Sequence, residues 1–574
     1  MSTTAAGPRV MLIGWDGAVP DLLERFVAAG RLPTIARLME RGSFRRLRST
    51  IPPVTACAWS SFLSGRNPGK HGLFEFVAPR RASYTFDYTC GGHRREKNQD
   101  LLAVLNMFGY RVGCVNVPMT YPPRPVSGFV ISGLDAPDEK SGIALPKPVF
   151  QAAHETIGTP YRIDNRHLGN MRTDDDREAA LREFIRIETL RTDYTLEMIR
   201  REPIDVLSIV YNATDQVQHH FWHLTDPAHP QYPGDDAPDV RRFRDSIERI
   251  YVACDKELQR LLDAFPDANV FVLSDHGAGP TSGPRVRINN ALEQAGLLKF
   301  ASNKGSALSS AVGVLDGFLR RTLSAKAKAA LARMLPWGRS AIESMGLPPI
   351  DWSQTVAFAY EGFTLSPSVW LNRRALFPQG TVGDGAEYES ALARVEAALL
   401  SLRDPRSGGP VIPKIYRARD IYPGRYSDSA PDLILDWWTE PTWTMTRSHP
   451  KLAAEPVVFY PPAAVIPGQD ITGIHRRDGI LVASGPQLAA HGAGARESAD
   501  LFDLAPTTLA LLGVSVPADM DGRVIGDVLA GTLTPAASGS ATAAAPAEDE
   551  PATTYSDEDR KRIEERLSSL GYIE

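Results

Sequence analysis

The chain has 574 residues, 43% of them hydrophobic and 23% charged, and a formal net charge of -5. That length carries one large α/β domain with insertions or two domains, and so small a net charge offers no general attraction for nucleic acid. Its four cysteines, Cys57, Cys90, Cys114 and Cys254, are far apart with no C-x-x-C spacing. This argues against a disulfide scaffold or a thiolate metal site and fits a reducing compartment.

The opening stretch MSTTAAGPRVMLIGWDG has no basic segment followed by a long apolar one, and no 18-residue apolar run occurs anywhere. Neither a signal peptide nor a membrane span is expected, and the expected location is the cytoplasm. Apolar runs that end in polar, often acidic, clusters then recur: RVMLIGWDG (9–17), RVGCVNVP (111–118), IDVLSIVYNATD (204–215), ANVFVLSDHG (268–277) and DGILVASGP (478–486). Continuous apolar runs of this length predict strands buried on both faces. Between them, DLLERFVAAGRLPTIARLMERG and VRRFRDSIERIYVACDKELQRLLDAF have helical periodicity. Alternating strands and helices predict a mostly parallel sheet covered by helices.

Two segments interrupt the alternation. Residues 301–345 are basic and helix-prone, with Lys304, Arg320, Arg321, Lys326, Lys328, Arg333 and Arg339 against Asp316 and Glu343. A solvated pair of cap helices is the simplest expectation there; docking on a membrane surface or a partner is the alternative. Residues 351–470 are rich in Pro and Trp and read as a mixed cap. The Ala/Pro/Ser segment from 532 to 554 predicts a flexible linker. SDEDRKRIEERLSSLGYIE then predicts a charged helix with Ser556 as its N-cap, docked on its own domain or on a partner. The expected organisation is a catalytic core in two parts, 1–300 and 471–531, around an insert and cap region, 301–470. The linker, 532–554, and the C-terminal helix, 555–574, follow.

In parallel sheets function gathers beyond the carboxyl ends of the strands, which singles out Asp16, Asp215, Asp275 and His276. In NATDQVQHHFWH, Asp215 and His219 are four apart, so a helix places them on one face where both can hold one ion. A chance surface pair is the plainer explanation of that spacing alone, and a capping Asp in a turn is the plainer explanation of SDHG. His475 in GIHRRDG precedes another predicted strand. Thr55, in PPVTACAWSSFLSG, follows a Pro-Pro pair and opens a short helix that breaks at Gly65; it reads as an N-cap or as a nucleophile. Together these are mixed carboxylate and imidazole ligands suited to Zn²⁺ or Mn²⁺, in about the number two ions need. Two ions about 3.5 to 4 Å apart clamp the attacking and leaving oxygens of an in-line displacement at phosphorus.

VMLIGWDG, PPVTACAWSSFLSGRNPGKHG, DQVQHHFW, SDHGAG, GIHRRDG and DLFDLAPTTLALLGVSVPADMDGRVI resemble, in order, the motifs of the alkaline phosphatase superfamily. The branch resembled most is the type I phosphodiesterase and nucleotide pyrophosphatase group, with its predicted phosphohydrolases and phosphomutases. The resemblance implies an alkaline-phosphatase-like three-layer α/β sandwich with cap insertions. It implies that Asp215, His219 and His475 hold one zinc, and that Asp16, Asp275, His276 and the Thr55 oxygen hold the second. It also implies a covalent phospho-Thr55 intermediate and a small phosphorylated substrate. The nucleotide pyrophosphatases carry a phosphoryl-supporting asparagine at the position of Phe76, a role that would fall here to Asn67, His71 or another group. The C-x-P-x-R pattern of sulfatases is absent after Thr55.

Further candidates for contact with the substrate are His71, which a turn also explains, and Arg285 and Arg287, which surface solvation also explains. His220 and His223, beside Phe221 and Trp222, read as packing residues. The expected activity is phosphodiester or pyrophosphate hydrolysis. The alternatives are monoester hydrolysis, for example of a sugar phosphate, phosphoryl transfer or mutase chemistry through the same intermediate, and an inert metal-binding interaction protein.

Overall fold

The computed structural model describes residues 7–80, 82–89, 100–165, 168, 171, 173–281, 284–301, 349–361, 367–439, 443–450, 456–459, 471–491, 497–530 and 555–570. The basic insert expected over 301–345 falls outside the described residues from 302 onward, and the 532–554 linker does so entirely.

A nine-stranded sheet forms the centre. Its strands, in chain order, are β1 (Val10–Trp15), β2 (Ser43–Arg48), β3 (Val112–Val115), β4 (Gly128–Ile131), β5 (Ala144–Leu145), β6 (Val206–Tyr211), β7 (Asn269–Leu273), β8 (Asp478–Ser484) and β9 (Ala499–Asp500). Across the sheet the order is β9-β2-β8-β7-β1-β6-β3-β4-β5. The run β7-β1-β6-β3-β4 is parallel throughout. Strand β8 runs antiparallel to both β7 and β2, and the edge strand β5 runs antiparallel to β4. All five apolar runs seen in the sequence are strands of this sheet. Strand β2, SFRRLR, escaped because its arginines break the apolar run, yet it is buried over much of its length.

Side-chain alternation along β1 divides the core into two layers. Met11, Ile13 and Trp15 face one hydrophobic cluster with Leu23 and Phe26 of the helix Pro20–Ala28 and Ile250 and Tyr251 of the helix Ser246–Ala264. Val10 and Leu12 face the other, with Trp59 and Phe62 of the helix Thr55–Ser64 and with Leu504 and Leu509. The result is a three-layer α/β sandwich with a mostly parallel centre.

The cap has its own core. The short strands Ala357–Phe358, Ser368–Leu371, Leu433–Leu435 and Ile415–Arg417 form an antiparallel sheet beside the helix Ala386–Leu400. Residues 286–300, expected within the first part of the catalytic core, instead join this cluster. The amphipathic helix Ile288–Gln294 buries Ile288 and Leu292 among Val395, Leu399 and Phe358, an apolar face the central sheet does not need.

The C-terminal helix, Asp557–Leu570, docks on its own chain. Ser556 caps it as expected, its hydroxyl accepting from Asp559 N–H at 3.1 Å while Asp559 accepts from Ser556 N–H at 3.2 Å. Tyr555, Ile563 and Leu567 are buried in the first core cluster. The Tyr555 hydroxyl donates to Asp135 O at 2.8 Å.

Candidate active site

The site lies past the carboxyl ends of β7, β1 and β6, adjacent strands of the parallel run. Asp16 directly follows β1. Asp275 and His276 follow β7 after one serine. Asp215 sits in the first turn of the helix Ala213–Thr225 that leaves β6, with His219 one turn on. His475 comes from a two-stranded ribbon, Gly473–Arg476 against Gly277–Pro280, in which it pairs with Ala278. That pairing folds a residue two hundred positions downstream back over His276, and the two imidazole rings stack with centroids 3.6 Å apart.

Thr55 comes from the helix Thr55–Ser64, whose Trp59 and Phe62 lie in the second core layer. It is the first residue of its helix rather than its cap; Val54 holds the cap position, and no side chain caps the helix. The hydroxyl that the cap reading assigned to the backbone instead lies 3.2 Å from His276 Nε2. Gly65 ends the helix in the left-handed region, as its place in the sequence implied.

The candidate ligand groups converge. Asp215 Oδ1 lies 3.3 Å from His219 Nε2 and 3.5 Å from His475 Nε2, and the two imidazole nitrogens are 3.1 Å apart. His276 Nε2 lies 3.4 Å from Asp275 Oδ2 and 3.7 Å from Asp16 Oδ1. Two sets, Asp215–His276–His475 and Asp16–Asp275–His276, each offer ligand atoms within 4.8 Å of one another. His276 thus belongs to both.

Two observations fit this cluster to cations. The Nδ1 atoms of His219, His475 and His276 face the backbone carbonyls of Gly473, Pro53 and Gly277 at 2.8, 2.8 and 2.9 Å. A carbonyl only accepts, so each Nδ1 carries the proton and each Nε2 lone pair points into the cluster, the arrangement that orients metal-ligating histidines. Second, Asp16 Oδ1 and Asp275 Oδ2 are buried with no hydrogen-bond donor among the described residues. A buried carboxylate oxygen left so needs a positive charge.

The electrostatics agree. Burial, then repulsion from Asp275 and Asp215, raises the Asp16 carboxyl well above its usual range. Burial likewise pushes Asp275 up to about 8. Burial opposes ionisation of Asp215 too, and positive charge on His219 and His475, a role that a cation held by their lone pairs would take over, outweighs it and holds that carboxyl low. Burial and the neighbouring His475 keep His276 well below the usual imidazole range.

The other candidates lie in local structure. His71 faces Ser61 Oγ through Nε2 at 2.9 Å and accepts from Leu73 N–H at 3.2 Å, tying the turn after the Thr55 helix. Phe76 is buried in the first core cluster. Asn67 caps the short helix Pro68–His71 and bonds Asp521. Arg285 and Arg287 flank Val286 in and after a three-stranded sheet formed with Thr444–Met445 and Val457–Phe459.

Several residues that hold the site were missed. Thr214 Oγ1 donates to Asp16 O at 2.6 Å, and Gln218 Nε2 donates to Gly17 O at 2.9 Å. These residues immediately precede Asp215 and His219, so one helix both presents ligands and grips the loop that carries Asp16. Trp59 Nε1 donates to Asp16 Oδ2 at 3.0 Å. Its spacing of four from Thr55 was the available signal.

Carboxylates and imidazoles gathered at the carboxyl ends of parallel strands, beside a hydroxyl at a helix N-terminus, are groups that a hydrolase of phosphoric ester bonds can use, and the family match assigns the chain to that class of enzyme. Residues 10–459 match the family model described as type I phosphodiesterase / nucleotide pyrophosphatase, and the chain belongs to that family. A search of curated proteins returned no match. Among solved structures, human ectonucleotide pyrophosphatase / phosphodiesterase 5 is similar at 12% identity and a TM-score of 0.47, covering 91% of this chain and 100% of that one. Phosphonoacetate hydrolase from Sinorhizobium meliloti 1021 is similar at 14% identity and a TM-score of 0.49, covering 87% of this chain and 94% of that one. Among the described residues no helix is long and apolar enough to cross a membrane.

Proposed function

We propose that this protein hydrolyses small phosphodiester or pyrophosphate substrates at a two-ion site, through a phosphorylated Thr55. The observation that carries the reading is the convergence of Thr55 Oγ1 with inward-facing imidazole nitrogens and buried carboxylates. Asp215, His219 and His475 would hold one divalent ion, zinc or manganese by donor type; Asp16, Asp275 and His276 with Thr55 Oγ1 would hold the other. When bound, the ions supply the positive charge that makes a threonine hydroxyl a nucleophile and that a leaving oxygen requires.

The chain's own groups supply the rest. The uncapped start of the Thr55 helix offers first-turn amides and a favourable dipole to the phosphoryl oxygens. The Oγ1–P bond forms as the bond from phosphorus to the leaving oxygen breaks, and the proton lost by Thr55 is matched by the one the leaving alcohol gains. Water then forms a bond to phosphorus as Oγ1–P breaks, restoring the Thr55 hydroxyl. Phe76, buried where the nucleotide pyrophosphatases carry a phosphoryl-supporting asparagine, favours monoester hydrolysis as the second reading.

Turnover of p-nitrophenyl phosphate and bis-(p-nitrophenyl) phosphate by the zinc- or manganese-loaded protein tests this. Diester turnover that vanishes in Thr55→Ala is the expected result. Inertness of the loaded protein toward both esters would sink the reading, and turnover of the monoester alone would move it to the second.

A further inference from the structure

Trp59 lies one helical turn beyond Thr55, so both side chains leave the same face of the helix. It is fully buried. Its indole reaches the central sheet at β1, where position 14 carries no side chain; a Cβ on Gly14 would lie 2.4 Å from Trp59 Cη2. Strand alternation puts residue 16 on the same face of the sheet as residues 10, 12 and 14, so the Asp16 carboxylate meets the indole at the strand end. The hydrogen bond from Nε1 to Oδ2 is 3.0 Å long. Its consequence is an unequal carboxylate: Oδ2 is taken by a donor, and Oδ1 has no hydrogen-bond donor among the described residues.

The Asp16 backbone is fixed independently, its N–H donating to Tyr211 O at 3.0 Å and its carbonyl accepting from Thr214 at 2.6 Å. What remains to be set is the rotation of the carboxylate. An indole N–H is suited to that, because it only donates, does not ionise and is held by a rigid ring. The same ring packs edge-on against Phe62, centroids 5.4 Å apart.

We propose that Trp59 is a positioning residue. It orients Asp16 so that Oδ1 alone faces the ion this residue would hold, and it ties that ligand to the helix that carries Thr55. The helix that carries the attacking oxygen then also orients one ligand of the ion beside it. The proposal rests on the two-ion reading given above.

The test uses the full chain with Trp59 replaced by benzothienylalanine, which keeps the shape and lacks the N–H, alongside Trp59→Phe, Phe62→Leu and Asp16→Asn. Chelator competition with zinc gives the affinity for each ion, metal content gives the stoichiometry, and thermal unfolding reports the fold. The isostere is expected to bind one of two ions roughly 10- to 100-fold more weakly, with the other ion and the melting temperature unchanged and with kcat lowered more than KM is raised. Phe62→Leu is expected to melt earlier and bind both ions normally. Wild-type affinity for both ions in the isostere, or equal weakening in Phe62→Leu, overturns the proposal. If Asp16→Asn retains both ions at wild-type affinity, Asp16 is not a ligand, and that part of the proposed function fails and this proposal with it; if Asp16→Asn loses an ion and the isostere does not, the proposal fails alone.

Discussion

Thr55 Oγ1 sits 3.2 Å from His276 Nε2, although the two residues lie 221 positions apart, one opening a helix and the other following a strand of the central sheet. His276 Nδ1 donates to Gly277 O, so its Nε2 lone pair is turned toward the same space as Thr55 Oγ1, where one ion could meet both. A hydroxyl used this way is neither a helix cap nor a packing group. Removing it should leave the ligand cluster intact. Thr55→Ala is expected to bind the same number of ions as the wild type and to lose ester turnover by at least about a thousandfold. Metal content and single-turnover kinetics check this, and retained turnover would take Thr55 out of the chemistry.

Gly17 joins the two halves of the site by having no side chain. Its φ is +64°, and a Cβ there would lie 2.8 Å from Asp215 Oδ1 and 3.1 Å from Asp215 Cβ. Its N–H also donates to Asp275 Oδ1 at 3.2 Å. Gly17→Ala is expected to cost about 1–2 kcal/mol for the left-handed backbone alone. It should also push Asp215 out of line, so that ion content falls before the fold does. Metal content measured beside urea unfolding distinguishes this from simple destabilisation, in which both fall together.

Arg566 fastens the C-terminal helix. Its side chain is almost wholly buried, pairs with Asp164 at 2.7 Å and donates to the carbonyls of Leu134 and Pro137 at 3.0 and 3.1 Å. Arg566→Met would keep the apolar stem and leave these acceptors without their donor. We expect a loss of about 3 kcal/mol and early proteolytic release of residues 555–574. Limited proteolysis followed by mass analysis reads the result; an unchanged cleavage pattern would show that Tyr555, Ile563 and Leu567 hold the helix unaided.

Glu361 gives the cap a pH dependence. It is fully buried and accepts from Asn289 N–H at 2.9 Å, Ser448 N–H at 2.8 Å and the Ser448 hydroxyl at 2.9 Å. Burial nevertheless pushes its carboxyl from 4.5 up to about 7. Between those values the folded chain keeps a proton that the unfolded chain has released, so stability falls as pH rises. The contribution is complete below about 4.5 and lost on passing about 7. The stability of the wild type relative to Glu361→Gln should therefore fall by up to ~3 kcal/mol across that window. Urea unfolding at several pH values checks this, and a constant difference would mean that the carboxylate is ionised throughout.

The features legible along the chain are those that depend on neighbouring residues. The apolar runs that became β1, β3, β6, β7 and β8 were legible because a strand buried on both faces must be apolar at consecutive positions. Asp16, Asp215, Asp275 and His276 stood out because each follows such a run, and the Ser556 cap and the Gly65 stop followed from local backbone chemistry. The family motifs tied these to His219, His475 and Thr55. Strand order and direction were left to the tertiary structure, which sets β8 antiparallel and folds His475 onto His276 by pairing with Ala278. It also made Thr55 a first-turn residue facing His276, moved residues 286–300 into the cap core, and seated the C-terminal helix. The grip of Trp59, Thr214 and Gln218 on the Asp16 loop was decided at the same level. Those outcomes come from side chains meeting across the sheet, where burial selects partners that no local periodicity specifies.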